Sequence, residues 1–303
     1  MATYGEEVRD LVFATLWSQW AELGLSGWER HHRDVAIDLE ALIIVTARIG
    51  HRDTRLRNEA LDWCVAHGRI ASAIRLKHLT GDAAAPTQRA MHEFSATVNA
   101  NSGLRWPDPG SPLGFTSAGR SEAPRPERPA LIQLRLRALW GVSARAEALR
   151  VMLPESGRFM GISEVATRAA YGKDAIAEAL DNLHRGGLLD ATTSANQRVF
   201  LLGRRDDLVR LIGAQPALVT GWSVVFPIMA GILEATDVSE TSPMARAARI
   251  QRLWRDWQPQ LARLGIITNR FRPGLDFLDD FEDFTLRALR TWSGLEAATP
   301  AQA

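Results

Sequence analysis

The chain has a single cysteine, Cys64, so it can form no internal disulfide; this fits a reducing compartment and excludes a stapled secreted scaffold. Lysine is nearly missing: of 36 basic residues only Lys77 and Lys173 are not arginine. Net charge is close to nil, since 36 basic residues meet 35 acidic ones for a formal +1. No overall field therefore draws the chain to nucleic acid or membrane, and any nucleic-acid site must be a local patch. The N-terminus has neither a basic n-region nor an apolar h-region, so no secretory signal is read there and the expected location is cytoplasmic. The one long uncharged run, Leu211 to Leu233, contains Gly213, Pro216, Gly221 and Pro227, and reads as a buried helix rather than a membrane span.

Catalytic signatures are absent too. No phosphate-binding Gly-x-x-x-x-Gly-Lys-Ser/Thr loop, dinucleotide-binding glycine pattern, nucleophile elbow or His-Glu-x-x-His helix occurs, so neither an enzyme nor a cofactor is expected. Metal-ligating types are present only in fragments. His31, His32 and Asp34 lie together, Cys64 and His67 make half of a zinc motif, and the acidic run Asp276, Asp279, Asp280, Glu282 and Asp283 suits the opening of a helix.

What is present is helical periodicity, in a chain of 303 residues that is 46% hydrophobic. Glu6 to Leu23, Asp38 to Gly50, Arg57 to Ala66, Ala71 to Leu79 and Thr87 to Val98 each place apolar side chains on one face, several closed by glycine. Such short helices hold only when packed together, so residues 1–101 are expected to form a helical domain. Residues 102–129 then carry six prolines and four glycines with few apolar side chains, and read as a linker or long surface crossing. Beyond 204 helices are expected again, at Asp206 to Ile212, Pro216 to Ala235 with a kink at Pro227, Pro243 to Leu264 and Leu275 to Trp292, giving a C-terminal helical domain over 204–298. Trp20, Trp63, Trp140, Trp254 and Trp257 fall on apolar faces and read as core. Arg246, Arg249, Arg252 and Arg255 form a slanting stripe that reads as a solvated face.

Residues 130–203 follow a different order. Ser143 caps a helix to Leu153, Phe159 to Ile162 is extended, and Ser163 caps a short helix to Ala170. Tyr171-Gly172-Lys173 turns into a third helix, Gly186-Gly187 stops it, and two extended segments flank a polar tip at Thr192 to Gln197. The residues Arg145-Ala-Glu-Ala-Leu-Arg-Val-Met-Leu, Ile162-Ser-Glu-Val-Ala, Gly172-Lys-Asp-Ala-Ile-Ala-Glu-Ala-Leu-Asp-Asn-Leu and Leu183-His-Arg-Gly-Gly-Leu-Leu-Asp fall in the order of a winged helix-turn-helix. The stretch resembles bacterial transcriptional regulators of the MarR- and ArsR-like kind.

That resemblance implies a mainly α fold with a central winged helix-turn-helix and a small β-wing between N- and C-terminal helical domains. It implies a DNA-binding regulator whose recognition helix, about residues 173–184, enters a major groove while a wing, about 190–200, meets the backbone. Arg145, Ser163, Tyr171, Gly172, Lys173, Asp174, Ala177, Gln197 and Arg198 would face DNA, Arg135 and Arg137 would assist, and the acting form would be a homodimer. Residues 130–203 carry nine basic side chains against seven acidic, and the third helix itself carries Asp174, Glu178 and Asp181, which repel phosphate. The same segment is therefore open to a second reading, a scaffold for a protein partner; the layout also resembles antitoxin-like proteins, which would imply a toxin-like enzyme as that partner.

Overall fold

The structure is a computed structural model that describes residues 2–25, 35–107, 110–155, 157–213, 221–237, 242–266, 271–274 and 276–294. It is mainly helical, with one small antiparallel sheet, and it divides into two compact units. Those units do not follow the compositional boundaries. One comprises residues 1–21, 28–32 and 220–303; the other comprises 22–27 and 33–219.

The larger unit begins with α2 (Leu39–Ile49), α3 (Thr54–His67), α4 (Ala73–Gly81) and α5 (Ala85–Asn101). Three of these starts are capped: Asp38, Asp53 and Ser72 accept hydrogen bonds from the amides of Ala41, Leu56 and Arg75, satisfying donors that a helix leaves open, while α5 has Pro86 in its first turn. After the proline-rich crossing come α6 (Ile132–Trp140) and α7 (Ala144–Met152), the latter capped by Ser143 as its sequence suggests. Next are β1 (Met160–Gly161), α8 (Ile162–Ala169), α9 (Lys173–Arg185), β2 (Asp190–Ser194), β3 (Gln197–Leu201) and α10 (Arg205–Ile212). The sheet order is β1-β3-β2, with Met160 opposite Phe200 and Ala191 opposite the same residue.

One apolar core binds these later elements. Leu149, Met152, Met160, Val165, Ile176, Leu180, Leu183 and Phe200 pack with Leu136 of α6 and with Leu208 and Ile212 of α10. Arg135 of α6 also donates to the Ile212 carbonyl. Helix α10 thus belongs with the central segment, not with the C-terminal helices that composition grouped it with.

Local details also depart from the sequence reading. Ser163 does not cap α8: the N-cap is Gly161, the helix starts one residue before Ser163, and its backbone carbonyl accepts from Thr167. The hairpin is longer than its polar composition suggests, because Ala195 and Asn196 both take left-handed conformations (φ 47° and 60°) and turn the chain in two residues. That geometry matches the twist of the flanking strands, so Thr192, Thr193 and Ser194 pair fully with β3.

The proline-rich crossing is fastened rather than loose. Asp62 of α3 accepts hydrogen bonds from the Ser117 hydroxyl (2.5 Å), the amides of Ala118, Gly119 and Arg120, and the Ser121 hydroxyl. His67 lies 3.3 Å from the Ser121 carbonyl, and Trp106 is buried, with its amide and carbonyl bonded to the Asn99 side chain. Backbone amides supply order that the missing hydrophobic side chains could not.

The other unit contains α1 (Tyr4–Glu22, through Ala21), α11 (Trp222–Asp237), α12 (Pro243–Arg263) and α13 (Asp276–Trp292). Trp254, Trp257, Phe271, Phe277, Phe281 and Phe284 form an aromatic cluster, with Trp254 4.7 Å from Phe271. Helix α11 includes Pro227 in its second turn, and Trp222 stacks on Phe226 at 4.5 Å. The expected helix start at Pro216 falls in 214–220, outside the described residues, as do Leu275, His31, His32 and Asp34. No described helix is long and apolar enough to cross a membrane.

The Asp62 anchor yields a direct expectation. Burial alone would raise its pKa, but the hydrogen bonds from Ser117, Gly119, Arg120 and Ser121 outweigh that and hold it at about 2. The folded value is below the unfolded one, so this stabilisation is complete above pH about 4 and is lost as pH falls toward about 2. Asp62→Ala removes the shared acceptor of five donors, should cost about 1 kcal/mol, and should open residues 102–128 to limited proteolysis at neutral pH. Unchanged cleavage would refute the anchoring role.

Candidate functional site

Two features of the larger unit stand out: a buried ionic network, and an exposed surface made by α9 and the β2–β3 hairpin. The network starts from the sequence's arginine bias. Arg75 of α4 is fully buried, with its two terminal nitrogens 2.8 and 2.7 Å from the Asp38 carboxylate and one of them also bonded to Glu40. Arg137 of α6 bonds Glu40 at 2.7 and 2.9 Å and Glu147 of α7 at 2.6 and 2.9 Å. Arg150, one turn along α7, bonds Glu147 at 2.6 Å. Gln133 donates to Glu40 and Glu147 and accepts from the Leu39 amide, while the Ser72 amide donates to Glu40 at 2.6 Å.

Three guanidiniums thus face three carboxylates, and the cluster is neutral as a whole. A lone buried ion would be prohibitive, and the planar guanidinium can serve two carboxylates at once, which an ammonium cannot do with the same geometry. Burial by itself would push the Glu147 carboxyl upward; Arg137, Arg75 and Arg150 override it and hold Glu147 at about 2. Burial likewise opposes ionisation of Asp38, yet Arg75 and Arg150 carry its carboxyl well below the ordinary range. Asp38 and Glu147 therefore stay ionised near neutral pH, and the hydrogen bonds of the network are turned inward on its own members. The arrangement is a clasp joining α2, α4, α6 and α7.

The network overturns two expectations. Arg137 is buried in it and is not available to assist at a phosphate. Tyr171 is also buried, its hydroxyl 2.7 Å from the Ser72 hydroxyl, so it faces α4 rather than DNA. Burial raises the Tyr171 pKa, with the Ser72 hydrogen bond opposing. Its aromatic ring beside a turn gave the sequence no sign of which way it points.

The other nominated side chains do reach the surface. Helix α9 buries Ile176, Ala179, Leu180 and Leu183 and exposes Gly172 at its cap, then Lys173, Asp174 and Glu178, with Ala177 half-buried. Arg145, Ser163, Gln197 and Arg198 are exposed. Arg198 is engaged, however: it pairs with Asp181 of α9 and lies 4.9 Å above the Phe200 ring.

Charge pairing leaves little on this surface. Arg135 donates to the carbonyls of Pro126 and Ile212; Arg158 and Arg168 pair with Glu155 and Glu164. Among the described residues of 130–203, the basic side chains left unpaired are Arg145, Lys173 and Arg185, against unpaired Asp174, Glu178 and Asp190. The surplus in the amino-acid count is spent inside the fold.

In the other unit, Arg246 pairs with Glu282 at 2.5 Å and Arg249 donates to the Ala235 carbonyl, while Arg252 and Arg255 are exposed. Val224, Arg255, Asp256, Pro259, Gln260 and Arg263 line an open crevice of about 470 Å³. No group of three His, Cys, Asp or Glu among the described residues is placed to hold a metal; Cys64 is buried, and burial raises its thiol pKa. No protein-family profile, curated protein or solved structure matches this chain.

Removing one member of the clasp should expose its cost. Glu147→Gln leaves Arg137 and Arg150 short of a counter-charge and should destabilise the protein by about 3–5 kcal/mol in urea denaturation. Arg158→Ala, at an exposed pair, should change it by about 0.5 kcal/mol or less. Because the Glu147 pKa in the fold lies below its unfolded value, its stabilisation is lost as pH falls from about 4.5 to about 2, so far-UV circular dichroism should show acid unfolding in that interval.

Proposed function

We propose that the chain is a DNA-binding regulator that reads double-stranded DNA with α9. The observation that carries this reading is the element order α7-β1-α8-α9-β2-β3 with sheet order β1-β3-β2, which resembles the plan of a winged helix-turn-helix. In that plan α9 is the recognition helix and the β2–β3 hairpin is the wing. The exposed N-terminal turn of α9 supports it: Gly172 and Lys173 offer a backbone amide, a cation and a helix N-terminus to phosphate. Gln197 at the wing, Ser163 on α8 and Arg145 on α7 are exposed and available to the same duplex.

Among the described residues of 130–203 three unpaired cations, Arg145, Lys173 and Arg185, accompany this surface, so one copy would bind phosphate weakly. A two-fold dimer, doubling the contacts across two half-sites, is the acting form this reading requires. The chemistry is binding, with no catalytic step.

The alternative, a protein-binding scaffold of the antitoxin-like kind, is favoured by one observation: the unpaired charges of 130–203 are evenly matched, with Asp174 and Glu178 on the exposed face of α9. Acidic side chains there suit a basic protein partner better than phosphate.

Electrophoretic mobility shift with the DNA upstream of the gene separates the two. Binding is expected at about 50 mM salt, weakening steeply by about 200 mM, and Lys173→Glu should lower affinity about tenfold or more. Absence of any shift at the lower salt would rule out the DNA reading.

A further inference from the structure

Between α8 and α9 the chain turns through Ala170, Tyr171 and Gly172. Ala170 sits in the left-handed region (φ 53°, ψ 49°), a conformation that a Cβ disfavours and that glycine commonly fills at the end of a helix. The helix end closes on its own backbone, with the Ala170 amide donating to the Thr167 carbonyl and the Tyr171 amide to the Ala166 carbonyl, and side chains from outside the turn brace it further. The holders come from elsewhere in the same unit, and they lie on both sides of the strained residue. Arg75 Nε donates to the Ala169 carbonyl at 2.9 Å, Arg150 donates to the Arg168 carbonyl at 3.3 Å, and the Tyr171 and Ser72 hydroxyls share a 2.7 Å hydrogen bond.

Ser72 and Arg75 are themselves immobilised. Ser72 caps α4 by accepting from the Arg75 amide, its own amide donates to Glu40, and Arg75 is locked to Asp38 and Glu40. A rigid, buried ionic clasp thus extends two polar arms to a strained turn some 95 residues further along the chain.

We infer that α4 sets the geometry of the α8–α9 turn, and through it the pose of α9, with Ser72 and Arg75 as positioning residues. Elements of the N-terminal helical segment thereby help fix the pose of that surface. The turn-holding role stands on these contacts alone; its consequence for DNA rests on the function proposed above.

Tyr171→Phe removes one hydroxyl and keeps the ring, while Ser72→Ala removes the partner hydroxyl and Ser72→Thr retains it. Amide hydrogen exchange on peptides covering residues 169–176 is the primary readout. Exchange there should quicken about fivefold in Tyr171→Phe and in Ser72→Ala, as expected for the loss of one buried hydrogen bond, with Ser72→Thr close to wild type and the β2–β3 hairpin unchanged. Equal exchange in all four proteins, or an acceleration spread evenly over the unit, would overturn the inference. Mobility shifts on the same proteins then read the consequence: where wild type binds, Tyr171→Phe should bind several-fold more weakly with Lys173 intact. If wild type binds no DNA, the proposed function fails, and the exchange data still decide whether α4 holds the turn.

Discussion

Three carboxylates and three guanidiniums withdrawn together from water dominate the architecture of the larger unit. Asp38, Glu40, Arg75, Arg137, Glu147 and Arg150 come from α2 and its cap, α4, α6 and α7, and every oxygen and nitrogen must find its counterpart when the helices close. The energetic force of such a cluster lies in what it forbids. A shifted helix would strand a buried charge at a cost of several kcal/mol, whereas a purely apolar interface of the same size would tolerate some sliding. The clasp therefore explains why α2 to α5 and the central segment form one unit, although the composition between them resembles a hinge.

Much of the fold was legible. Helix starts at Asp38 and Ser143 are where local chemistry decides, and the residues state it directly. The order of helices and strands from Ala144 to Leu201 followed from apolar periodicity and paired glycines. What could not be read is long-range. Nothing near Glu40 announces that Arg137 will meet it 97 residues later, and a buried arginine looks like a surface one in a chain where almost every cation is arginine. The same blindness placed Tyr171 on the wrong side of its turn and divided the chain at composition changes. Residues 102–129 lack the side chains for a core, yet a single aspartate on another helix orders part of them.

The candidate surface was half legible for a related reason. Exposure of Lys173, Asp174 and Gln197 follows from helix and hairpin periodicity, which is a local property. Whether a cation there is free depends on partners brought by folding: Arg198 is neutralised by Asp181, and Arg137 and Arg150 are drawn into the interior. A charge count over a segment is an upper bound on what a ligand can feel.

The Asp62 anchor has a thermal consequence. Carboxylate oxygens gathering successive amides around themselves make an arrangement in which a side chain takes the place of a bound anion, so the order of residues 117–121 derives from electrostatics and hydrogen bonding. The apolar core around Phe200 depends instead on a driving force that weakens on cooling. Within one unit, then, the crossing and the core answer to different variables: cold loosens the core while leaving the crossing fastened, and acid unfastens the crossing directly.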